Sequence, residues 1–266
     1  MLNQPGYRDS VPRFRRLVTT FTIVVLVVLT GLPADAREPL PRDGDVDYQL
    51  GGAAPPADNV RILVRDRNAS PAAGLYNICY VNGFQTQPDE RGFWKRRMGL
   101  VLHDGGRPVV DEAWGEWLLD IRTPAKRARL AEIVGGWTQE CAADGFDAVE
   151  FDNLDSFTRS DRLITRAQAI SFARLLVRAA HRSDLAVGQK NLAGYDGTKI
   201  GFDFAVAEQC ARWRECGRYV EAYGDQVLAI EYRARDFRRA CDAYGELLPI
   251  VLRDLDLSPD GVHRWC

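Results

Sequence analysis

From Val60 onward the chain alternates short β-branched or aromatic runs with stretches whose apolar residues recur every three or four positions, and few folds satisfy that alternation. The strand-like runs are VRILVRD (60–66), LYNICYVN (75–82), WLLDI (117–121), the middle of GFDAVEFDNLD (145–155), LAVGQKN (185–191), FDFAVAE (202–208), VLAIEY (227–232) and PIVLRD (249–254), after a short Tyr48-Gln49-Leu50. Thr123 and Pro124 are a helix N-cap and first-turn proline for a segment with Leu130, Ile133, Val134, Trp137 and Cys141 on one face. Thr165 with Gln168 makes a capping box ahead of Ile170, Ala173, Leu176, Val177 and Ala180, and the stretches 212–224 and 236–244 also read as helical. The stretch 84–111 reads as a long loop with a partial helix around 94–99. The expectation is a parallel α/β fold, either a (β/α)8 TIM barrel or a doubly wound sheet. No GxGxxG opens a helix and there is no Walker A lysine, which removes the usual nucleotide-binding signals. Nine strand candidates are one more than a barrel needs, and the surplus is read as the last.

Carboxylates stand at or near the ends of these runs: Asp66, Asp120, Asp152, Glu208 and Glu231. In a parallel barrel the C-terminal strand ends converge on one rim, where active sites sit, so five such acids predict one acidic pocket. Read with period two, Glu150 and Asp152 share a face, with Glu150 one layer below the rim. A pocket of this kind suits glycoside cleavage, in which one carboxyl protonates the leaving oxygen and a second, ionised, acts as nucleophile or as base for water. Neighbouring like charges push the two pKa values apart and so supply both protonation states. Tyr48, Tyr80, Trp114, Trp213 and Tyr232 are candidates to stack on sugar faces. With three histidines a zinc site is not indicated, and a carboxylate-bound hard cation is the chemical competitor.

With 35 basic against 37 acidic residues the formal charge is -2, and there is no Lys/Arg block past the N-terminal region, so a nucleic-acid partner is not expected. Arg8, Arg13, Arg15 and Arg16 precede an apolar run over 17–32 that ends in Ala34-Asp35-Ala36, the three-part pattern of a secretory signal with cleavage after Ala36. The run is shorter than the roughly 20 apolar residues of a spanning helix, so no stable membrane association is expected after cleavage. The expected organisation is a signal peptide over 1–36, a Pro- and Asp-rich linker over 37–47 and one domain over 48–266. Six cysteines agree with an oxidising compartment, and the short loop Cys210 to Cys216 offers a local pairing.

The segments WLLDIRTP, GFDAVEFDNLDSF, AVGQKN, FDFAVAEQC with a second cysteine six residues on, and VLAIEY, in this order and spacing, resemble glycoside hydrolase family 114, the secreted endo-alpha-1,4-polygalactosaminidases, over residues 48–232. The resemblance implies a (β/α)8 barrel that cleaves an α-1,4-linked galactosamine polysaccharide with retention and requires no cofactor; the strand count adds one extra C-terminal strand, and the chain is expected to be extracellular, monomeric and without a metal. By motif, Asp152 corresponds to the nucleophile and Glu208 to the acid/base. Tyr48, Gln49, Asp66, Tyr80, Asp120, Asn153, Asp155, Lys190, Asn191, Glu231 and Tyr232 fall on the substrate rim. The chain departs from the family pattern at Phe151 (in place of EPDN), at Gln189 (in place of GLKN) and at Arg65-Asp66-Arg67 (in place of a YDID-like strand). The first two departures are expected on or beside the rim, where they would alter sugar choice. The rival readings are a non-catalytic carbohydrate-binding protein on the same barrel and a related barrel hydrolase with shifted specificity.

Overall fold

The computed structural model describes residue 1 and residues 37–266. The expected signal peptide, over 1–36, lies outside the described residues, Met1 apart. Nine strands form one sheet in the order of the chain: β1 (Asp45–Gln49), β2 (Val60–Asp66), β3 (Tyr76–Asn82), β4 (Ala148–Asp152), β5 (Ala186–Lys190), β6 (Phe204–Glu208), β7 (Val227–Glu231), β8 (Ile250–Arg253) and β9 (His263–Trp265). The first eight run parallel and β9 returns antiparallel to β8. Side chains stitch the seam between the two ends of this sheet. Arg253 of β8 donates to the Asp47 carboxylate at 2.8 Å and to the Tyr48 carbonyl, and Trp265 of β9 donates to the Val46 carbonyl at 2.8 Å.

Strand alternation sorts the core into two layers. Val46, Ile62, Val64, Ile78, Phe204, Val206, Leu228, Ile230 and Val251 fill the barrel, whereas Val149, Phe151, Val187, Ala205, Ala207, Val227 and Ala229 face the helices. Gly188 is required on β5, because a Cβ there would sit 2.5 Å from the Phe204 ring that fills the barrel interior. The outer layer is built of α2 (Pro124–Asp144), α3 (Arg166–Arg182), α4 (Cys210–Trp213), α5 (Cys216–Tyr223) and α6 (Ala234–Tyr244), after a short α1 (Arg91–Lys95). Both expected helix starts are present: the Thr123 side chain accepts from the Lys126 N–H, and Thr165 and Gln168 form a reciprocal capping box. No helix follows β1 or β2, whose connections 50–59 and 67–75 are turns and loops.

Three expectations need correction. The run 117–121 is not a barrel strand: Glu116–Trp117 pairs with Val110–Asp111 in a small hairpin, and Leu118 and Leu119 make isolated bridges to Gln85 and Val101. This segment belongs to an excursion, 83–121, between β3 and α2, and its apolar residues are buried in the helix-side core without joining the sheet. The run 249–254 is therefore the eighth barrel strand, and the extra C-terminal strand is 263–265. The segment 37–47 is not all linker, since β1 starts at Asp45 and Leu40 is buried among the barrel-interior residues.

Three disulfides, Cys79–Cys141, Cys210–Cys216 and Cys241–Cys266, join β3 to α2, α4 to α5, and α6 to the chain end; the second is the expected local pair. Among the described residues no helix is long and apolar enough to cross a membrane.

Candidate active site

At the C-terminal ends of the strands lies a cleft of about 540 Å³. Inward positions of β2, β3, β4, β5 and β6 deliver Asp66, Tyr80, Asp152, Lys190 and Glu208 to it, and Tyr232 arrives just past β7. The chain bends sharply behind three of these. Asn153, Asn191 and Gln209, each directly after Asp152, Lys190 or Glu208, have φ of 67°, 52° and 55°. The left-handed region is uncommon outside glycine and tolerated best by Asn, and such turns concentrate at sites where a strand-end side chain must be presented in one orientation.

Asp152 and Glu208 face each other across a buried ammonium. Lys190 Nζ lies 3.6 Å from Asp152 Oδ1, 3.3 Å from Glu208 Oε2 and 3.7 Å from Glu150 Oε1, and donates to the Tyr48 hydroxyl at 2.7 Å. Tyr48 in turn donates to Glu150 Oε1. Tyr80 donates to Asp152 Oδ2 at 2.9 Å, Tyr232 bonds Glu208 Oε1, and Asn191 donates to Glu208 Oε2 at 3.0 Å. Burial works against the charge on Lys190, but the three carboxylates outweigh it and hold the ammonium well above its ordinary pKa. Glu150 is pushed up to about 7 by burial, partly opposed by Lys190 and Tyr48.

One wall of the cleft comes from the 83–121 excursion. Asp111 and Glu116 stand opposite each other in the hairpin register, Glu116 Oε2 accepts from Asn82 at 2.9 Å, and burial pushes Glu116 up to about 7. Arg159 bridges Asp111 at 2.8 Å and Asp155 at 3.0 Å, and donates to Asn153 Oδ1 at 2.8 Å. Trp114 projects from the hairpin tip into the cleft with 56% of its surface exposed. Asp111, Glu116 and Arg159 join the cleft in addition to the residues expected there; Asp111 and Glu116 flank a turn that ends in Gly115, at φ 67°, and that hairpin signal places the two acids across from each other.

Of the residues expected on the rim, Asp66, Tyr80, Asn153, Asp155, Lys190, Asn191 and Tyr232 line the cleft with Asp152 and Glu208. Tyr48 lies below it, through its bonds to Lys190 and Glu150. Gln49, Asp120 and Glu231 are not brought to the cleft. Gln49 points out of the barrel and bonds Asp47 and Arg65. Asp120, on the excursion, binds Arg122 and Lys126 at 2.8 and 2.5 Å; burial opposes its ionisation, yet these bonds hold it down at about 2. Glu231 has the parity of Val227 and Ala229, so it faces α4, accepts from the Ala211 N–H and is pushed up to about 7 by burial. Phe151 and Gln189 also face outward, contrary to the expected rim position. Phe151 packs in the helix-side core, and Gln189 accepts from the Tyr223 hydroxyl while donating to the carbonyls of Asn191, Leu192 and Tyr195.

Cys210, Cys216 and Glu231 come close together, but both thiols are spent in a disulfide, so the group cannot hold a metal through sulfur.

A parallel barrel with two carboxyls set across an open acidic cleft at its C-terminal rim has the build of a glycosidase. The chain belongs to glycoside-hydrolase family GH114, whose sequence model matches residues 30–266. Among solved structures it is similar to Aspergillus fumigatus Ega3 in complex with galactosamine, with a TM-score of 0.70 at 23% identity over 88% of this chain and 99% of that one. It is also similar to the glycoside hydrolase domain of Pseudomonas aeruginosa PelA, with a TM-score of 0.60 at 16% identity over 83% of this chain and 98% of that one. No curated protein sequence matches the chain significantly. The protein is a glycoside hydrolase.

Proposed function

We propose that the protein is an exported endo-glycosidase that cleaves α-1,4-linked galactosamine polysaccharide with retention, Asp152 acting as nucleophile and Glu208 as acid/base. The observation that carries this reading is the disposition of the two carboxyls around Lys190. Both contact one ammonium, so their nearest oxygens lie within about 7 Å of each other, as a pair acting on one glycosidic bond requires; retention is the family expectation, in which the pair stands roughly 5 to 5.5 Å apart. In the first half-reaction Glu208 gives its proton to the leaving glycosidic oxygen while Asp152 bonds the anomeric carbon. In the second, ionised Glu208 takes a proton from water, whose oxygen displaces Asp152 and restores the starting state. Tyr80 and the Asn153 N–H orient the Asp152 carboxylate, and Tyr232 with Asn191 orients Glu208.

The substrate class follows from charge. Seven carboxyl residues (Asp66, Asp111, Glu116, Asp152, Asp155, Glu208 and Asp256) line the cleft against two cations, Arg159 and Lys190; setting aside Glu208, which holds a proton as the acid, and Glu116, which burial pushes up to about 7, five acids still face two cations, which favours a cationic polymer such as galactosaminan with free amines. Ega3, which binds galactosamine in its crystal structure, supports the same sugar. The three disulfides suit export, with the signal removed after Ala36.

Asp152→Asn and Glu208→Gln are each expected to lower the rate of cleavage of a partly deacetylated galactosamine polymer by at least about 1,000-fold while polymer binding persists. NMR of the first-released product is expected to show the α-anomer. A near wild-type rate in either variant sinks that residue's role, and a β-anomer released first sinks retention.

A further inference from the structure

Lys190 is 2% exposed, too deep to be a solvated lysine, and its ammonium is engaged by protein groups at the floor of the cleft. The titratable groups facing it are Tyr48 of β1, Tyr80 of β3, Glu150 and Asp152 of β4, Glu208 of β6 and Tyr232 beyond β7. Every neighbour is an acid or a phenol, so the only positive charge among them belongs to Lys190. Its position is fixed from below by the Tyr48 hydroxyl, itself held by Glu150.

We propose that Lys190 is a positioning residue, the shared counter-ion of the catalytic pair, placed so that one negative charge can move between Asp152 and Glu208 without losing its cation. This rests on the reading of Asp152 and Glu208 given above. Before reaction the pair carries one negative charge, on Asp152, while Glu208 holds the proton. In the glycosyl-enzyme Asp152 is a neutral ester and Glu208, having lost its proton to the leaving group, carries the charge. Hydrolysis of the ester returns the charge to Asp152 and the proton to Glu208. The pair's charge is the same at each stage and only its location changes. An ammonium 3.6 Å from one carboxylate and 3.3 Å from the other compensates that charge almost equally in both places. Neither half-reaction then needs a counter-ion to move, and this is what fixed, preorganised charge contributes to catalysis. Water would have to reorient twice per turnover to do the same.

Lys190→Met keeps the apolar stem and removes only the charge. It is expected to lower kcat by roughly 100-fold or more, with KM on the polymer changed by less than about threefold. Without the cation, ionisation of the neighbouring carboxyls becomes harder, so both limbs of the pH–rate profile are expected to move to higher pH. A variant with wild-type kcat and raised KM would make Lys190 a sugar ligand, and a lowered kcat with an unmoved pH profile would make it a packing residue; either overturns the proposal. If Lys190→Met does not fold, Lys190→Arg carries the test, because it retains the charge in an altered shape. The proposal requires its pH profile to stay with wild type while kcat falls by a few fold, and a displaced profile rejects it. Failure here is distinct from failure of the catalytic pair, which the Asp152→Asn and Glu208→Gln rates decide on their own.

Discussion

Glu150 has no route to water: it is fully buried in the barrel, one oxygen takes the Tyr48 hydroxyl, and the other, Oε2, has no hydrogen-bond partner. Burial raises it from an ordinary 4.5 to about 7, so the folded protein holds this proton more tightly than the unfolded chain. A raised carboxyl favours the folded state fully below the unfolded value, and that contribution is lost as pH rises through the folded value. The full span amounts to about 3 kcal/mol. Glu150→Gln, which cannot ionise, is expected to flatten the fall in Tm between about pH 5 and 8 relative to wild type, by several degrees at the upper end. Parallel Tm curves for the two proteins would rule the effect out. The direction of Glu150 and Asp152 was legible because Asp152 sits two residues on from a deeper acid on an otherwise apolar strand. Glu231 was not, and the reason is physical. In a parallel barrel both faces of a strand are buried, one against the interior and one against helices, so VLAIEY is apolar on both and its sequence does not say which face is which.

Helix α3 shows what local chemistry can specify. The Thr165–Gln168 box satisfies two first-turn donors, and Ala169, Phe172, Ala173, Leu176 and Val177 then turn one face onto the barrel. Thr165→Ala is expected to cost about 1 kcal/mol, a fall in Tm of roughly 2 to 4 °C, with kcat unchanged because Thr165 is not part of the cleft lining and bonds Gln168 and Ala169 of its own helix; thermal melts and an initial-rate assay on the same preparation check both. A fall in kcat without a fall in Tm would contradict the purely structural role. The 83–121 excursion has no comparable signature beyond the Gly115 turn. Its run 117–121 is as apolar as a barrel strand because Leu118, Leu119 and Ile121 are fully buried, and periodicity does not distinguish a strand of the sheet from a buried stretch of a loop. That excursion supplies Asp111, Trp114 and Glu116, so the part of the site hardest to foresee is a cleft wall, while the floor, built on regular strands, was the part most open to reading.

At the scale of the whole molecule a near-neutral net charge of -2 conceals a separation: acids collect in the cleft, whereas Arg214, Arg235, Arg238 and Arg239 gather on the outer helices. A barrel whose C-terminal mouth is acidic attracts a cationic polymer over a distance set by the Debye length, about 10 Å at 0.1 M salt. If the free amines of the polymer are what the cleft reads, KM for a deacetylated galactosamine polymer is expected to rise several-fold between roughly 20 and 300 mM salt while kcat stays constant, since screening weakens encounter and not the chemistry. Glu116→Gln removes a wall carboxyl that burial pushes up to about 7, and is expected to shallow that slope above about pH 7, where the wild-type group is ionised. A fully N-acetylated polymer, which has no amine charge, is expected to show no slope at all. Equal KM values across the salt range for the deacetylated polymer would separate the acidity of the cleft from substrate choice and leave it as a device for tuning the two carboxyls alone.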